Sequence, residues 1–448
     1  MIAIFDIGKT NKKLSLLDEQ YRFIYETSVQ IPEIKDEDGD PCEDLEALIA
    51  WIKAGFVSVI GDRKYKIAAL NFSSYGASFV PINSTGNPVS PLYNYLKPFP
   101  EALHNQFYQT YGGEQQLALE TASPILGHLN SGLQLYRLKH MRPDIYADIR
   151  YALHLPQFLS YIFTRHACSD MTSIGCHTHL WDFRKQNYHH WVHEEKITKI
   201  LAPVVGGDKT HVTESIGQKI KTGIGLHDSS SALIPYLTCF KEPFLLISTG
   251  TWCISMNPFN QQPLTAQELK YDCLCYLTHD AKAVKSSRLF AGHWHDLQTK
   301  RIAEYFNVQR DYYKKVGWEE GRYQPLHPST KSHYSEAFIN SGHLTFNDVD
   351  LKNFSSYEDA YYKLMEEIIA LQVWSSNLVL NNIVEKIFVD GGFGSNPLYM
   401  HMLAKAYPGK QVFAASVPQA SSIGAAMILH NVWNRKPVPS DMISLKSF

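Results

Sequence analysis

The chain opens with alternating hydrophobic and polar positions that predict an antiparallel meander. Three short segments are rich in β-branched and aromatic residues and are separated by polar turns: IAIF at 2–5, KLSLL at 13–17 and YRFIYETSV at 21–29. Asp40 and Pro41 are typical of a helix cap and a first-turn proline, and apolar residues then recur at helical spacing from Leu45 to Phe56. Three strands, a helix and the strand segment KIAALNF together predict a mixed α/β unit.

The second half of the chain repeats this order of elements. The strand segments PFLLIS and CISM flank the turn TGTW, and a long amphipathic stretch at 358–383 leads into KIFVDGG. A break falls within residues 219–233, between the two halves. Because 448 residues exceed what one hydrophobic core usually organises, the repeat predicts two α/β domains, at 1–223 and 224–448, with a cleft between them.

Composition narrows the class of protein. Hydrophobic residues make up 44% of the chain and charged residues 19%, as in an ordered globular protein. The net charge of -2 provides no basic surface for nucleic acid or an anionic membrane, and no apolar run approaches the about 18 residues of a membrane span. With seven scattered cysteines and no signal peptide, we expect reduced thiols and a cytoplasmic protein, either a monomer or a homodimer.

Three glycine-bearing turns each follow a predicted strand: DIGKTN at 6–11, STGTW at 248–252 and DGGFGSN at 390–396. Glycine has no Cβ, so backbone N–H groups can approach a phosphate closely at such turns. None of the three fits the P-loop or the dinucleotide-binding pattern. Each alone is an ordinary turn, and only their combination predicts a site for a phosphorylated ligand.

The first of these turns begins with a carboxylate. Asp6 ends a strand with a buried pattern, where an unpaired carboxylate is costly unless a cation or a donor meets it. Mg²⁺ bound to nucleotide phosphates meets that need, and Thr10, Asn11 and Lys13 are then candidate donors to phosphate. The alternative is that Asp6 caps its own hairpin.

A second carboxylate lies at the predicted domain junction, in the segment GLHDSSSAL. In a cleft, Asp228 is a candidate base that accepts the proton of an attacking hydroxyl during phosphoryl transfer. The alternative is structural, because DSSSAL is also a good cap sequence in which Asp228 is the N-cap of the next helix.

Taken in order, five segments resemble the signature sequences of the FGGY family of carbohydrate kinases, in the actin-like ATPase superfamily: FDIGKT, GLHDSSSA, STGTW, DGGFGSNP and QASSIGAA. The resemblance extends over the whole chain and implies two ribonuclease-H-like domains around a deep cleft. It implies that the first domain holds most of the sugar and the second most of the ATP, with Mg²⁺ as a further cofactor.

The same resemblance implies roles for individual residues. The nucleotide-binding group comprises Asp6, Gly8, Thr10, Asn11, Lys13, Thr249, Gly250, Thr251, Gly391, Gly392 and Asn396. Asp6 is the implied metal ligand, and Asp228 falls on the family's catalytic base. Three residues depart from the family pattern: Lys9 either adds a phosphate contact or alters the turn, and Phe393 and Gln419 bear on nucleotide affinity.

The resemblance also implies a sugar site and a substrate class. STGTW is close to the SGTW of rhamnulose and fuculose kinases, and SSYGASF resembles the sugar-binding strand of rhamnulose kinases. The residues implied near the sugar are Tyr75, Gly76, Thr172, His177 and His227. We therefore expect an ATP-dependent kinase for a 6-deoxyketose such as L-rhamnulose or L-fuculose, with a pentulose kinase (xylulose or ribulose) as the alternative.

Two other classes of protein fit parts of the sequence. Histidines at 177–179, 189–190, 193 and 293–296 suggest a zinc hydrolase, which needs three or four converging ligands, but neither H-E-x-x-H nor C-x-x-C occurs. An actin-like ATPase module that senses a sugar without phosphorylating it keeps the fold, but it has no use for a base at Asp228.

Overall fold

The structure is a computed structural model that describes residues 1–323 and 328–448. Within these residues a seven-stranded sheet dominates each half of the chain. The strands of the first half are β1 (Ile2–Ile7), β2 (Lys12–Leu17), β3 (Phe23–Val29), β4 (Ile34–Lys35), β5 (Pro41–Glu43), β6 (Ala69–Ser74), β7 (Phe79–Ile82), β8 (Leu92–Tyr93), β9 (Tyr151–His154), β10 (Trp181–Asp182), β11 (Asn187–Tyr188), β12 (Thr210–Ser215), β13 (Gln218–Gly223) and β14 (Leu226–His227). Those of the second half are β15 (Phe244–Thr249), β16 (Cys253–Asn257), β17 (Cys273–Leu277), β18 (Ala283–Leu289), β19 (Lys386–Gly391), β20 (Gln411–Ser416) and β21 (Ser444–Ser447).

Helices connect and cover the strands. In the first half they are α1 (Leu45–Gly61), α2 (Glu101–Thr110), α3 (Glu114–Glu120), α4 (Gly132–Met141), α5 (Pro143–Asp148), α6 (Leu155–Thr164), α7 (Met171–Ile174) and α8 (His190–Glu194). In the second half they are α9 (Asp228–Cys239), α10 (Ala266–Lys270), α11 (Ala291–Tyr305), α12 (Pro328–Ser341), α13 (Tyr357–Val379), α14 (Pro397–Ala406), α15 (Ala420–Met427) and α16 (His430–Trp433). Short 3-10 helices occur at Gly127–Leu129, Ile197–Lys199, Tyr312–Lys315, Thr345–Asp348, Leu351–Asn353 and Phe393–Ser395.

The two large sheets share one topology. The first runs β12-β13-β6-β1-β2-β3, with β14 also paired to β6, and the second runs β17-β18-β16-β15-β19-β20-β21. In each, a central strand pairs antiparallel with the next strand of a meander on one side and parallel with a later strand on the other. The duplicated α/β fold predicted from the sequence is confirmed, and the three glycine turns follow β1, β15 and β19.

Two helices, α9 and α15, pack against each other between the sheets. Helix α9 follows β14 of the first sheet but packs Tyr236 against Phe244 and Phe388 of the second. Helix α15 follows β20 of the second sheet and packs on β1 and β6 of the first. At their crossing, a Cβ on Gly424 would lie 1.8 Å from the Ser231 carbonyl oxygen, so glycine is required there. The crossing joins both halves in one apolar core.

One predicted helix start is wrong. Helix α1 is capped by Asp44, whose side chain accepts from the Ala47 N–H at 2.9 Å, whereas Pro41 opens the short strand β5. Asp40 is instead bound to the Lys97 ammonium at 2.6 Å. A partner 57 residues away in sequence has therefore overridden a good local capping pattern.

The division of the chain at residue 223 stays a prediction. Leu226–His227, just beyond it, still pairs with β6 of the first sheet, and α9 begins at once. Within the described parts of the chain, no helix combines the length and the apolar character needed to cross a membrane.

Candidate active site

The turn between β1 and β2 carries the first group of predicted phosphate-binding residues. The Gly8 N–H donates to the Asn11 carbonyl at 3.0 Å, and a Cβ on Gly8 would lie 3.0 Å from that same oxygen, tighter than side chains normally pack. Thr10 and Asn11 are exposed at the tip of the turn. Lys13 is close enough for its charge to act on Asp6, whose pKa it works to lower. The structure thus brings all five predicted residues to one end of β1.

Lys9 points away from the tip of this turn. Its ammonium lies 2.6 Å from Glu33 Oε1 and 2.7 Å from Glu43 Oε1. The buried Lys12 ammonium binds the same Glu43 at 3.0 Å and the Lys9 carbonyl at 2.7 Å. Of the two predictions for Lys9, the geometry favours the altered turn, because both lysines tie the turn to Glu43.

Asp6 is held from the second half of the chain. Its Oδ2 accepts hydrogen bonds from the Ser421 hydroxyl at 2.6 Å and the Ser422 hydroxyl at 3.2 Å, both on α15. Burial raises the pKa of Asp6, the serine hydrogen bonds oppose the rise, and the nearby charge of Asp228 adds to it. Among the described residues, no protein donor meets Asp6 Oδ1, and the hairpin cap considered above is not formed.

Asp228 opens helix α9 and lies close enough to Asp6 for its charge to act on the pKa of that carboxylate. The N-cap is His227, and Asp228 caps no later turn, so the structural alternative for this residue is wrong. Its Oδ1 accepts from the Ser229 N–H at 2.6 Å and lies 3.2 Å from His227 Nε2. Within the part of the chain that the structure describes, no hydrogen bond reaches Oδ2. The side chain keeps 35% of its exposure, and burial of the carboxylate raises the pKa of Asp228 to about 6.

A buried polar network fixes the backbone beneath His227. The Thr172 hydroxyl donates to Asp170 Oδ2 at 2.5 Å and accepts from the His227 N–H at 3.0 Å. Gln157 links Asp170 Oδ1 and the Gly225 carbonyl, each at 2.9 Å. Because the one hydrogen of the Thr172 hydroxyl is donated to Asp170 and its oxygen accepts from the His227 N–H, its contribution runs through the position of His227.

Gly76 lies against His227, as the predicted sugar site requires. A Cβ on Gly76 would lie 2.7 Å from Cys176 Sγ and 2.9 Å from His227 Cδ2, so a larger residue would displace both. The ring of Tyr75 is nearly buried and meets the ring of Tyr95 edge-on at 5.9 Å. Burial raises the pKa of Tyr95, and the nearby charge of Asp228 adds to the rise, so Tyr95 also lies close to Asp228.

The second domain completes this part of the cleft. The ring of Tyr276, on β17, lies 5.7 Å from the ring of His227 and 6.3 Å from that of His177. His177 Nδ1 lies 3.1 Å from the Leu129 carbonyl, and burial, with the nearby charge of Arg288, lowers the pKa of His177 to about 3. His177 is therefore a neutral side chain at neutral pH.

The second and third glycine turns border one cavity of about 400 Å³. Its lining residues are Gly250, Thr251, Gly292, His295, Asp296, Tyr313, Lys314, Gly392, Phe393, Ser395, Asn396 and Pro397. Two further predicted residues support its floor: the Thr249 hydroxyl donates to the Asp390 carbonyl at 2.6 Å, and Gly391 has φ +89°. A Cβ on Gly391 would lie 1.9 Å from the Thr249 carbonyl oxygen, so glycine is required.

Asn396 is the N-cap of α14, as its sequence pattern predicts. Its Oδ1 accepts from the Leu398 N–H at 3.0 Å, and its Nδ2 donates to the Tyr361 hydroxyl at 2.7 Å. Phe393, which replaces a family glycine, is buried and stacks on Tyr399 with ring centroids 4.5 Å apart. Phe393 therefore lines the cavity, with its ring stacked on Tyr399.

Gln419 precedes α15 in the left-handed conformation, with φ +47°, and its amide donates to Glu26. This bond links the start of α15 to β3 of the first sheet. Gln419 is absent from the lining of the cavity.

The histidine-rich segments are not assembled into one site. His179 is buried, and burial lowers its pKa to about 3. Among the described residues, side chains close enough to share a metal occur in two groups: Glu120 with His189 and His190, and Asp36 with Asp38 and Asp40. The acidic group already surrounds the Lys97 ammonium. Glu120 and His189 are joined directly at 2.7 Å.

Several residues close to Asp6, Asp228 and His227 were not predicted from the sequence. They are Tyr95, Cys176, Tyr276, Ser421 and Ser422. The two serines lie in the quoted segment QASSIGAA, so a signal existed for them. The others reach the site through contacts between distant parts of the chain.

Comparison with known proteins identifies the family. The family model for the N-terminal domain of the FGGY family of carbohydrate kinases matches residues 1–234, slightly more than half of the chain. The chain belongs to the FGGY family of carbohydrate kinases.

Relatives and solved structures agree with this assignment. A rhamnulokinase of Halalkalibacterium halodurans is 22% identical over 258 residues, 55% of this chain and 52% of the relative. The chain thus matches about half the length of this curated relative. A carbohydrate kinase structure from Novosphingobium aromaticivorans superposes with TM-score 0.77 at 20% identity, over 99% of this chain and 95% of the other. A ligand-bound xylulose kinase structure from Lactobacillus acidophilus gives TM-score 0.77 at 14% identity, over 100% and 93%. The predicted fold of two ribonuclease-H-like domains is confirmed.

Proposed function

We propose that this protein is an ATP-dependent sugar kinase that phosphorylates a hydroxyl of a ketose. The observation that carries the proposal is the closeness of Asp6 and Asp228, since the charge of Asp228 acts on the pKa of Asp6 although the two are far apart in sequence. Asp6 lies at the end of β1, beside the proposed phosphate turn, and Gly76 packs against His227, the neighbour of Asp228, so a nucleotide and a sugar can approach each other there.

Asp228 is the proposed general base. Its Oδ2 accepts the proton of the sugar hydroxyl while that oxygen bonds to the γ-phosphorus and the bond to the ADP oxygen breaks. A pKa of about 6 keeps most of the Asp228 carboxylate ionised at neutral pH while leaving it basic enough to take a proton.

The residues present fit ATP and Mg²⁺. Asp6 Oδ1, which no described protein donor meets, is a suitable ligand for Mg²⁺ or its bound water. Bound Mg²⁺ would neutralise charge on the phosphate oxygens. Gly8, Thr10, Asn11 and Lys13 are the proposed phosphate contacts on one side, and the turn of Thr249, Gly250 and Thr251 faces the other. The cavity of about 400 Å³ beside Gly391, Gly392 and Asn396 is the proposed adenosine site.

The proposed sugar is a 6-deoxyketose such as L-rhamnulose or L-fuculose. The STGTW turn and the similarity to proteins named rhamnulokinase support this choice. Tyr75, Gly76, His177 and His227 are the proposed sugar-binding residues, with Thr172 holding His227 in place. A pentulose is the alternative substrate. A coupled kinase assay over L-rhamnulose, L-fuculose, L-xylulose, D-xylulose and L-ribulose separates the two, since the higher kcat/KM identifies the class.

Asp228→Asn tests the catalytic proposal. The variant should fold normally and lose at least about two orders of magnitude in turnover, the scale of general-base loss. Asp208→Asn, an exposed carboxylate outside the site, is the matched control and should keep wild-type activity. Near-wild-type turnover in Asp228→Asn would reject the assignment of the base. ADP release by the wild-type protein that no ketose stimulates would favour the sugar-sensing ATPase.

The remaining proposals concern the setting of the enzyme. Sugar and ATP are the proposed partners, without nucleic acid or membrane. All seven cysteines are free thiols, and six of them are buried, which supports a reducing compartment such as the cytoplasm.

A further inference from the structure

A tyrosine of the second sheet lies against two of the proposed sugar-binding residues. The ring of Tyr276, on β17, lies 5.7 Å from the ring of His227 and is tilted by 37° to it, and it lies 6.3 Å from the ring of His177. Only 6% of Tyr276 is exposed. The role proposed so far for the sugar site makes no use of this residue or of its hydroxyl.

The strand that carries Tyr276 is docked on the first half of the chain. Strand β17 is at the edge of the second sheet, and the N–H of Cys275, just before the tyrosine, donates to the Ala122 carbonyl at 2.9 Å. On the other side of the tyrosine, a Cβ on Gly175 would lie 2.4 Å from Leu277 Cγ, so the end of α7 packs closely on Leu277. Because both neighbours of Tyr276 are held by the first half, its ring has a fixed place beside the two histidines.

Side-chain alternation along β17 turns Tyr276 toward the first sheet. Cys273 and Cys275 belong to the apolar core of the second half. Leu274 and Tyr276 point to the opposite face of the strand, into the apolar core that also contains residues of β1. The tyrosine is thus a residue of the second sheet that is directed at the first.

The Tyr276 hydroxyl has no hydrogen-bond partner among the described residues, although a nearly buried tyrosine hydroxyl usually has one. Burial raises the pKa of Tyr276, so the phenol keeps its proton at neutral pH. The charge of Arg288 opposes this rise and that of Asp228 adds to it, so both groups lie near the hydroxyl. Arg288 donates Nε and Nη2 to Asp272 instead. A bound ligand is therefore the partner that the hydroxyl lacks.

We propose that Tyr276 is a further sugar-binding residue, whose hydroxyl forms a hydrogen bond with a sugar hydroxyl other than the one that is phosphorylated. A phenol can donate its hydrogen to a sugar oxygen and accept one from a sugar hydroxyl, which suits an uncharged sugar. Because the ring lies next to His227, a sugar held by Tyr276 also lies close to Asp228. The inference rests on the proposed function.

Tyr276→Phe removes the hydroxyl and keeps the ring and its packing. For the ketose with the highest kcat/KM in the coupled assay, the Kd measured by calorimetry should rise about five- to tenfold, the scale of one lost hydrogen bond. The kcat at saturating sugar and the KM for ATP should change by less than about twofold, because the contact holds the sugar and not the nucleotide. Tyr108→Phe deletes another nearly buried hydroxyl without a described partner, and as the matched control it should change none of these values.

Analogues of that ketose that each lack one hydroxyl locate the contact. For one analogue, the wild type and Tyr276→Phe should bind with equal Kd, because the partner of the phenol is already missing. For the other analogues the five- to tenfold difference should remain. An equal difference for every analogue, or an unchanged Kd for the parent ketose, would overturn the inference and leave Tyr276 a packing residue.

Failure of the proposed function would give a different result. A wild-type protein that neither binds nor phosphorylates any of the five ketoses would overturn the proposed function and this inference with it. If Asp228→Asn stays active while Tyr276→Phe weakens sugar binding as expected, the assignment of the base fails and the role of Tyr276 stands.

Discussion

The two sheets carry their partly buried carboxylates on different strands. In the first sheet Asp6 on β1 is in register with Ser73 on β6. In the second sheet the serine lies on the central strand, since Ser248 on β15 is in register with Asp390 on β19. Each half therefore has one Asp–Ser pair on two adjacent parallel strands. The aspartate lies on the central strand in the first half and on the neighbouring strand in the second.

Each of these carboxylates accepts hydrogen bonds from a helix that follows the other sheet. Asp6 is held by hydroxyls of α15, which follows the second sheet, and Asp390 Oδ2 by the Tyr236 hydroxyl of α9, which follows the first, at 2.9 Å. Asp390 Oδ1 also accepts from the Gly391 N–H at 2.7 Å, so both of its oxygens have protein donors. Asp6 keeps one oxygen without a described donor. Of these two carboxylates, Asp6 alone therefore has an oxygen that accepts no hydrogen bond from a described residue.

Replacing each carboxylate in turn is the strongest way to break this comparison. Asp6→Asn should lower turnover by at least about a hundredfold, because it removes the charge that balances a metal ion beside the phosphates. Asp390→Asn should lose less than about tenfold, because the amide oxygen can still accept from the Gly391 N–H while the amide NH₂ donates to the Tyr236 hydroxyl oxygen. Steady-state kinetics at saturating Mg²⁺ and thermal unfolding of both variants provide the measurement. Equal losses of turnover would mean that both carboxylates take part.

Gly424→Ala tests whether the crossing of α9 and α15 couples the two halves. The new Cβ would lie 1.8 Å from the Ser231 carbonyl oxygen and force the helices apart, at a cost of about 1–3 kcal/mol in the free energy of unfolding. Calorimetric unfolding should show a lower Tm, with weakened nucleotide binding. Gly409→Ala, where a Cβ meets nothing within 4 Å, is the control and should change neither. An unchanged Tm in Gly424→Ala would show that the crossing yields without cost.

The pH dependence of kcat/KM should distinguish Asp228 from an exposed carboxylate. Because the pKa of Asp228 is raised to about 6, the base is progressively protonated below pH 6, and kcat/KM should fall about tenfold per pH unit there. An acid limb near pH 4 would contradict the burial argument.

Stability should change with pH in the opposite sense to activity. The folded state holds a proton on Asp228 more tightly than the unfolded chain does, so this group's contribution is lost as pH rises from about 4 to 6. Asp228→Asn should therefore have a Tm at least as high as the wild type at pH 7.5. This advantage should shrink as the pH falls from about 6 to 4, as thermal unfolding across pH can measure.

The smallest expected effect concerns Lys9, since of the three glycine turns only the first contains a lysine. Lys9→Met leaves Lys12 to pair with Glu43 and should cost about 0.5–1 kcal/mol of stability, as expected for a partly exposed ion pair. Turnover and the KM for ATP should stay within about threefold, because the Lys9 ammonium faces Glu33 and Glu43. A large rise in the KM for ATP would instead identify Lys9 as a phosphate contact.

Local pattern was enough to predict the strands, the duplicated order and the glycine turns, since alternation and turn chemistry act over a few residues. It also predicted Asn396 as a helix cap. It failed to predict the start of α1, where a distant residue is involved. Asp40 forms an ion pair with Lys97, and Asp44 is the N-cap of α1.

The site residues also divide into those that the sequence predicted and those that depend on contacts between distant segments. The resemblance to known kinases supplied Asp6 and Asp228, but nothing local in the sequence pairs Cys176 with His227 or Tyr276 with the first domain. The role of Lys9 was open because its partners, Glu33 and Glu43, lie on other segments. Such contacts depend on how the two sheets and their loops come together.

The exchanged helices have a practical consequence for dissecting the molecule. Helix α15 covers Ile2 and Ile4 on the first sheet, so a fragment ending before α9 would present that apolar face to water. We therefore expect that neither half, cut at the junction, folds on its own. The two fragments should instead be recoverable as a pair when produced in the same cell, which makes the junction a natural place to build a split reporter.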